Sequence, residues 1–237
     1  MSGVGFLEDW DLSYDEINEL LTDNPSLRSF VMGYAAEIKC RHMYFHDHPG
    51  ISAVYKPDDH DRTEKGDLIV TYLGHPIAVE VKSIQTASMA PRRRSGRVEP
   101  FYQCDASDRR TVVFRDGSSV ETTALLVGEF DVVAVNIHAF TGQWDFVFAR
   151  NEELPTMAGA TRGAARHYTR YQQRNLIKTN IGIDLDPGPP YVRDPFVLFD
   201  RIVKERARGE GPAQQGVVAE EAAADGETVQ QALDFGL

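Results

Sequence analysis

KGDLIVTYLGHPIAVEVKSIQ, residues 65–85, holds two short apolar runs, LIVTYL and IAVEV, parted by Gly74-His75-Pro76. Aliphatic and β-branched runs bounded by Gly and Pro read as strand, turn, strand. Side chains on a strand alternate between faces, so Glu80 and Lys82 project from one face and Val79 and Val81 from the other. A carboxylate and an amine among β-branched neighbours are costly to bury without partners. Asp67, at the start of the first strand, supplies one. Two carboxylates beside a lysine make a hard-oxygen site for a divalent ion, with an amine next to it.

Asp67, twelve intervening residues, then Glu80-Val81-Lys82 resembles the PD-(D/E)xK nuclease superfamily, the restriction-endonuclease-like proteins. The resemblance covers roughly residues 25 to 150 and rests on few residues. Its weight comes from order: a helix carrying an acid, a strand, a turn, and a strand with Glu-x-Lys. Glu37, in FVMGYAAEIKC, is the acid expected on the preceding helix, and Gln85 matches a glutamine that some relatives place at the end of the same strand. Gly66 stands where the family usually has proline.

The resemblance implies an α/β core with a central mixed sheet flanked by helices, and a Mg²⁺-dependent phosphodiesterase, with Mn²⁺ as a substitute. Asp67, Glu80, the carbonyl of Val81 and Glu37 would hold the metal. Lys82 would orient a water, and Gln85 completes the catalytic set. One such site cuts one strand, so cutting a duplex requires a homodimer or sequential nicks.

Composition bounds this reading. A chain of 237 residues, 42% hydrophobic and 10% aromatic, buries a sizeable core as one large domain or a domain with appendages. No apolar run reaches membrane-spanning length, and MSGVGFLEDWD has no basic-apolar leader pattern. Two cysteines, Cys40 and Cys104, are too few for a zinc ribbon or a four-cysteine iron–sulfur cluster. A cytoplasmic protein with reduced thiols is expected.

The net charge of -11 is unevenly spread. Residues 205–237 carry seven acidic residues against Arg206 and Arg208. Elsewhere Arg92, Arg93, Arg94 and Arg97 share one loop, and Arg109 and Arg110 lie close behind. Such local patches matter more for phosphate contact than the total charge.

Ser13-Tyr14-Asp15-Glu16 is a capping box opening a helix through Leu21, and Asn24-Pro25 starts another. Leu27, Phe30, Val31, Tyr34 and Ile38 define its apolar stripe, with Glu37 on the shoulder. ISAVYK reads as the first strand. After it come FYQCDA, RTVVF, an Asp116-Gly117 hairpin turn into SSVETT, and a short helix over residues 124–129. Two buried strands follow, in FDVVAVNIHAF and WDFVFA. The order is helix, three strands, an inserted hairpin, helix, two strands.

His42, His46 and His48 with Asp47 have spacings that could bind zinc, but a helix end with polar residues is the preferred reading. Arg162, Arg166, Arg170, Arg174 and Lys178 recur every four residues, which predicts one helix with a basic stripe suited to phosphates. Tyr168, Tyr171, Gln172 and Gln173 lie between, the glutamines available to base edges. PGPPYVRDP is a rigid loop, after which Pro195 opens a last helix, FVLFDRIVKERA, ending near Gly209.

Domain boundaries follow: residues 1–208 form the nuclease-like domain and 209–237 a disordered acidic tail. Gln230, Leu233 and Phe235 in its final peptide resemble the segment that bacterial replication proteins insert into the sliding clamp. The expected function is a metal-dependent DNA endonuclease, restriction-like or defence-related. The alternatives are a repair or recombination nuclease recruited to the clamp, and a non-catalytic DNA-binding subunit of the same fold.

Overall fold

The computed structural model describes residues 5–57, 65–93, 95–210 and 216–218. The chain opens with α1 (Phe6–Asp9), α2 (Tyr14–Asp23) and α3 (Pro25–Cys40), the last running into a π-helical turn, Arg41–Phe45. Then come β1 (Ile51–Tyr55), β2 (Leu68–Tyr72), β3 (His75–Ser83), β4 (Phe101–Gln103), β5 (Asp105–Phe114) and β6 (Ser119–Ala124). After β7 (Val132–Asn136), α4 (His138–Thr141) and β8 (Phe146–Arg150), the chain forms α5 (Arg170–Asn175), β9 (Asn180–Gly182), α6 (Phe196–Ala207) and β10 (Gly216–Val218).

Five strands make the central mixed sheet, in the order β1-β2-β3-β7-β8. Neighbours are antiparallel except β3 with β7, which are parallel. Every residue of β7 and β8 is buried, as strands covered on both faces must be. On one face Val79, Val81, Val132 and Phe148 pack with Ala36 and Cys40 of α3, Phe45, and Leu198, Phe199 and Ile202 of α6. On the other, Val133, Val135 and Val147 meet Ile84, Tyr102, Leu154, Ile177 and Ile181. The sheet is therefore sandwiched between helices and a layer that includes the small β4–β9 ribbon.

Several elements form as the local signals require. Ser13 caps α2, its hydroxyl accepting from the Glu16 N–H at 3.2 Å while the Glu16 carboxylate accepts from the Ser13 N–H at 2.8 Å. The Asp116-Gly117 turn joins β5 to β6, and Pro195 precedes α6.

Other expectations are corrected. The turn between β2 and β3 is Leu73-Gly74, at φ +48° and +82°, with Tyr72 paired to His75. Two successive positive φ angles are the I′ geometry whose twist matches a hairpin, so His75 and Pro76 belong to β3.

No helix forms over residues 124–129. Leu126 instead makes an isolated bridge to Leu176, and its N–H donates to the Glu129 carboxylate at 2.7 Å. The parallel crossover from β3 to β7 thus runs through a ribbon strand and a hairpin.

The apolar stripe of α3 does not face the core. Phe30, Val31, Tyr34 and Ile38 are exposed, and the buried residues are Ala36 and Cys40, because only small side chains let the helix approach β3 closely.

The basic stripe is not one helix. Residues 164–167 form a 3-10 turn, Tyr168 is extended, and α5 restarts at Thr169, whose hydroxyl accepts from the Gln172 N–H. Gln172 and Gln173 are buried, holding backbone carbonyls of Ser119, Ala160, Ala165 and Tyr168, and are not offered to bases.

Within the stretch read as a tail, Gly216–Val218 pairs antiparallel with β5. The clamp-like residues Gln230, Leu233 and Phe235 lie outside the described residues, as does Arg94.

Candidate active site

The site is built where β2 begins and β3 nears its end. Leu68 pairs with Val79, and the Asp67 N–H donates to the Val79 carbonyl at 2.9 Å, which sets Asp67 beside Glu80. One step further the ladder gives way to a side chain: the Val81 N–H donates to Oδ2 of Asp67 at 2.7 Å. A strand residue's N–H and C=O leave by the same edge, so the Val81 carbonyl is also on the Asp67 side.

Gly66 makes this approach possible. Its φ of +89° is closed to proline, and a Cβ there would lie 3.1 Å from the Val79 carbonyl oxygen. The proline that the sequence resemblance would place here does not fit this backbone.

Strand alternation puts Val79 and Val81 in the helix-side core and Glu80 and Lys82 on the opposite face. Lys82 Nζ lies 2.6 Å from Oε1 of Glu80. Burial, and then the charge of Asp67, push the Glu80 carboxyl up to about 7, only partly offset by Lys82. Burial likewise raises Asp67, against Lys82 and the Val81 N–H, which lower it. For Lys82, burial opposes the charge, but Glu80 and Asp67 outweigh it and hold the ammonium above the ordinary lysine range. Two partly desolvated carboxylates share one cation, a centre that gains from further positive charge.

These residues floor a cleft of about 610 Å³. Phe30, Gly33, Tyr34 and Glu37 of α3 line one part of it, and Asp105, Ala106, Ser107, Asp108 and Arg110 of β5 another. Gln85 lines it too, its N–H bonded to the Phe101 carbonyl at 2.9 Å. Glu37 is half-buried and receives Lys56 Nζ at 2.9 Å, and that ammonium sits 4.3 Å from the Tyr34 ring centroid. Among the described residues, no three His, Cys, Asp or Glu side chains group closely enough to grip one ion. Among the described residues the side-chain donors brought together at the floor are Asp67 and Glu80, with Glu37 paired to Lys56.

His42, His46 and His48 make no such group either. His46 Nδ1 pairs with Asp47 at 2.7 Å, and His48 stacks on Phe196 at 3.6 Å between centroids.

The predicted arginines are scattered by the fold. Arg92 pairs with Glu99, its N–H closing a loop on the Arg97 carbonyl, and Arg93 is exposed beside it. Arg109 is exposed on β5. Arg110 is not a surface cation: it forms a two-pronged pair with buried Glu129 and donates to the Ala124 carbonyl at 3.2 Å. Its Nε is buried and unpartnered. Arg166, Arg170 and Arg174 are exposed.

Sequence reasoning missed Lys56, Asp105 and Glu129. Lys56 closes the ISAVYK run, a position that hints at a strand's end near the site. Asp105, whose carboxyl burial raises against the pull of Lys82, carried no signal in its spacing. Between the Asp105–Ala124 and Arg110–Thr122 pairs, Ala106 to Arg109 oppose the single residue Thr123, a bulge at the edge of the cleft.

Both thiols are buried beside this centre. Burial and then Glu80 push Cys104 up to about 12, and burial and then Asp67 raise Cys40 further.

No family model matches the sequence, and no curated protein matches it. A solved structure of a bacterial homing endonuclease, I-Ssp6803I, is similar to this chain at 15% identity and a TM-score of 0.38, over 78% of this chain and 97% of that one.

Proposed function

We propose that this chain is a metal-dependent endonuclease that hydrolyses phosphodiester bonds of DNA in the cytoplasm. What carries the reading is the convergence of Asp67, Glu80 and Lys82 on one cleft floor, with the Asp67 carboxylate bonded to the Val81 N–H. The donor set suits a hard cation. Asp67, Glu80 and the Val81 carbonyl would hold Mg²⁺, or Mn²⁺ in its place, with the remaining positions left to water and phosphate, as Mg²⁺ prefers. When bound, the ion supplies Lewis acidity, lowering the pKa of a water and neutralising charge on the phosphate.

The protein's own groups do the rest. The Lys82 ammonium, kept charged by Glu80 and Asp67, donates to the attacking water or a phosphate oxygen, and its charge favours the transition state. In that charged form it serves as donor and electrostatic clamp, and a general-base role requires a depressed pKa. The Glu37–Lys56 pair on the cleft wall adds a second ammonium near the phosphate path. Exposed Arg93 and Arg109 are available to backbone phosphates.

Incubation with supercoiled plasmid in Mg²⁺ or in EDTA tests this. Nicked or linear product should appear with Mg²⁺ alone, and should be absent with Asp67→Ala and Lys82→Ala. A wild-type protein inert on supercoiled, linear and single-stranded DNA with either Mg²⁺ or Mn²⁺ would leave the non-catalytic, DNA-binding reading.

A further inference from the structure

One side of α3 faces the cleft. Phe30, Gly33, Tyr34 and Glu37 all line it, and their spacings of three and four residues place them together on the helix. Phe30 is 68% exposed and Tyr34 50%, so both rings keep much of their surface open. Exposed rings at a concave site mark a surface that a ligand covers.

Gly33 points the same way. Glycine inside a helix weakens it, because the unfolded chain has more conformational freedom to give up than with alanine. The fold of the described residues does not require it. The backbone at Gly33 is helical, and a Cβ there would meet nothing outside its own helix backbone within 4 Å. A side chain is therefore missing where the protein itself has room for one. The bare backbone lies between the two rings, on the cleft side of the helix, where a flat group can approach closely.

The chemistry of the wall selects that group. Glu37 holds Lys56 Nζ at 2.9 Å, and this ammonium lies 4.3 Å from the Tyr34 centroid. The pair adds no net charge, and what the wall mostly presents is flat aromatic area. Base–aromatic stacking is tolerant of sequence, because every base has a π-face. Inside a duplex those faces are covered by neighbouring bases, so only an unstacked base can use the rings. A cleft of about 610 Å³ falls within the roughly 300–1,000 Å³ of pockets that enclose one small molecule, the scale of a single nucleotide.

We propose that Phe30, Gly33 and Tyr34 form a base platform, and that the substrate is DNA with an unpaired nucleotide beside the cut phosphate. The cutting rests on the nuclease reading of the floor, whereas the platform rests on α3.

Fluorescence anisotropy of the full chain in Ca²⁺ tests it. A duplex bearing a thymidylate flap of about four nucleotides, the smallest such site, should bind about tenfold tighter than the same duplex without it. Phe30→Ala with Tyr34→Ala should erase that preference and leave the salt dependence unchanged, since stacking releases no counter-ions. Gly33→Leu should erase it too, by filling the gap between the rings, while its unfolding temperature stays at or above that of wild type. In Mg²⁺, cuts should map to the flap junction. Equal affinity for the two duplexes overturns the proposal, as does a preference that survives both variants. A chain with the preference but no cleavage supports the platform and overturns the nuclease reading alone. A chain that cuts plain duplex as readily as the flapped one keeps the nuclease reading and overturns this one.

Discussion

Lys82 Nζ lies 2.6 Å from Oε1 of Glu80, one residue beyond Val81, whose N–H is taken by Asp67. Three consecutive positions of one strand thus hold the base of the cleft through two bonds, an ion pair between side chains and a backbone N–H to a carboxylate.

Lys82→Ala should lower the cleavage rate about 10²–10⁴-fold, the range for loss of a positioned proton donor or acceptor. DNA affinity, measured by fluorescence anisotropy in Ca²⁺, should change little. Unchanged cleavage would remove Lys82 from the mechanism. The variant leaves Asp67 and Glu80 without their counter-ion, so in EDTA at pH 8 it should also unfold at lower temperature than wild type.

The stability of the metal-free protein should fall as pH rises from about 5 to about 7. Glu80 titrates near 7 in the folded chain against an ordinary value of 4.5, so the folded state binds the extra proton in that window. An acid with a raised folded pKa favours folding below its ordinary value and loses that contribution as pH climbs through the folded one. Thermal unfolding in EDTA across this range is the measurement, and Glu80→Gln should flatten the profile. Mg²⁺ should stabilise the protein more at pH 8 than at pH 6, since the ion and the proton compete for one carboxylate.

Gly66→Ala should destabilise the fold by roughly 1–3 kcal/mol, from the positive φ and the Val79 backbone at 3.1 Å. Gly74→Ala, with nothing within 4 Å, meets only the conformational part. Urea unfolding of the two variants separates the terms, and equal losses would mean that crowding against Val79 contributes nothing.

Glu129→Ala leaves the Arg110 guanidinium buried and unpaired, a change that typically costs about 3–5 kcal/mol. Chemical denaturation should show it. A loss under about 1 kcal/mol would indicate that the guanidinium reaches water once released.

Arg170→Ala with Arg174→Ala should flatten the salt dependence of DNA binding, by about 0.9 in the log–log slope for each phosphate no longer neutralised. Because the 3-10 turn carrying Arg166 is separated from α5, Arg166→Ala should act independently of that pair. An unchanged slope in all three would leave these arginines facing solvent.

The hairpin that carries Glu80 and Lys82 was legible because two-residue alternation and a Gly-containing turn act locally. Ser13 with Glu16, and Pro195 before α6, are local signals too. The burial of α3 was not legible: an apolar stripe says that a face wants cover, not what covers it, and Ala36 and Cys40 weigh little in any hydrophobic count. The arginine periodicity hid a stronger signal, since Thr169 and Gln172 already spelled a second capping box. Lys56 and Asp105 reach the cleft only through tertiary packing, β1 returning beside β2 and β5 leaving the ribbon, which no spacing encodes.

The two cysteines supply a built-in clock. Cys40 is within electrostatic reach of Asp67 and Cys104 of Glu80, both thiols fully shielded and poorly ionised. A disulfide reagent can therefore label them only when the segment around either carboxylate opens. The labelling rate at each thiol converts directly into an opening free energy for that half of the cleft floor, in the manner of amide exchange. Divalent ions that clamp Asp67 and Glu80 would slow both clocks together, giving a readout of metal occupancy in a protein that performs no turnover.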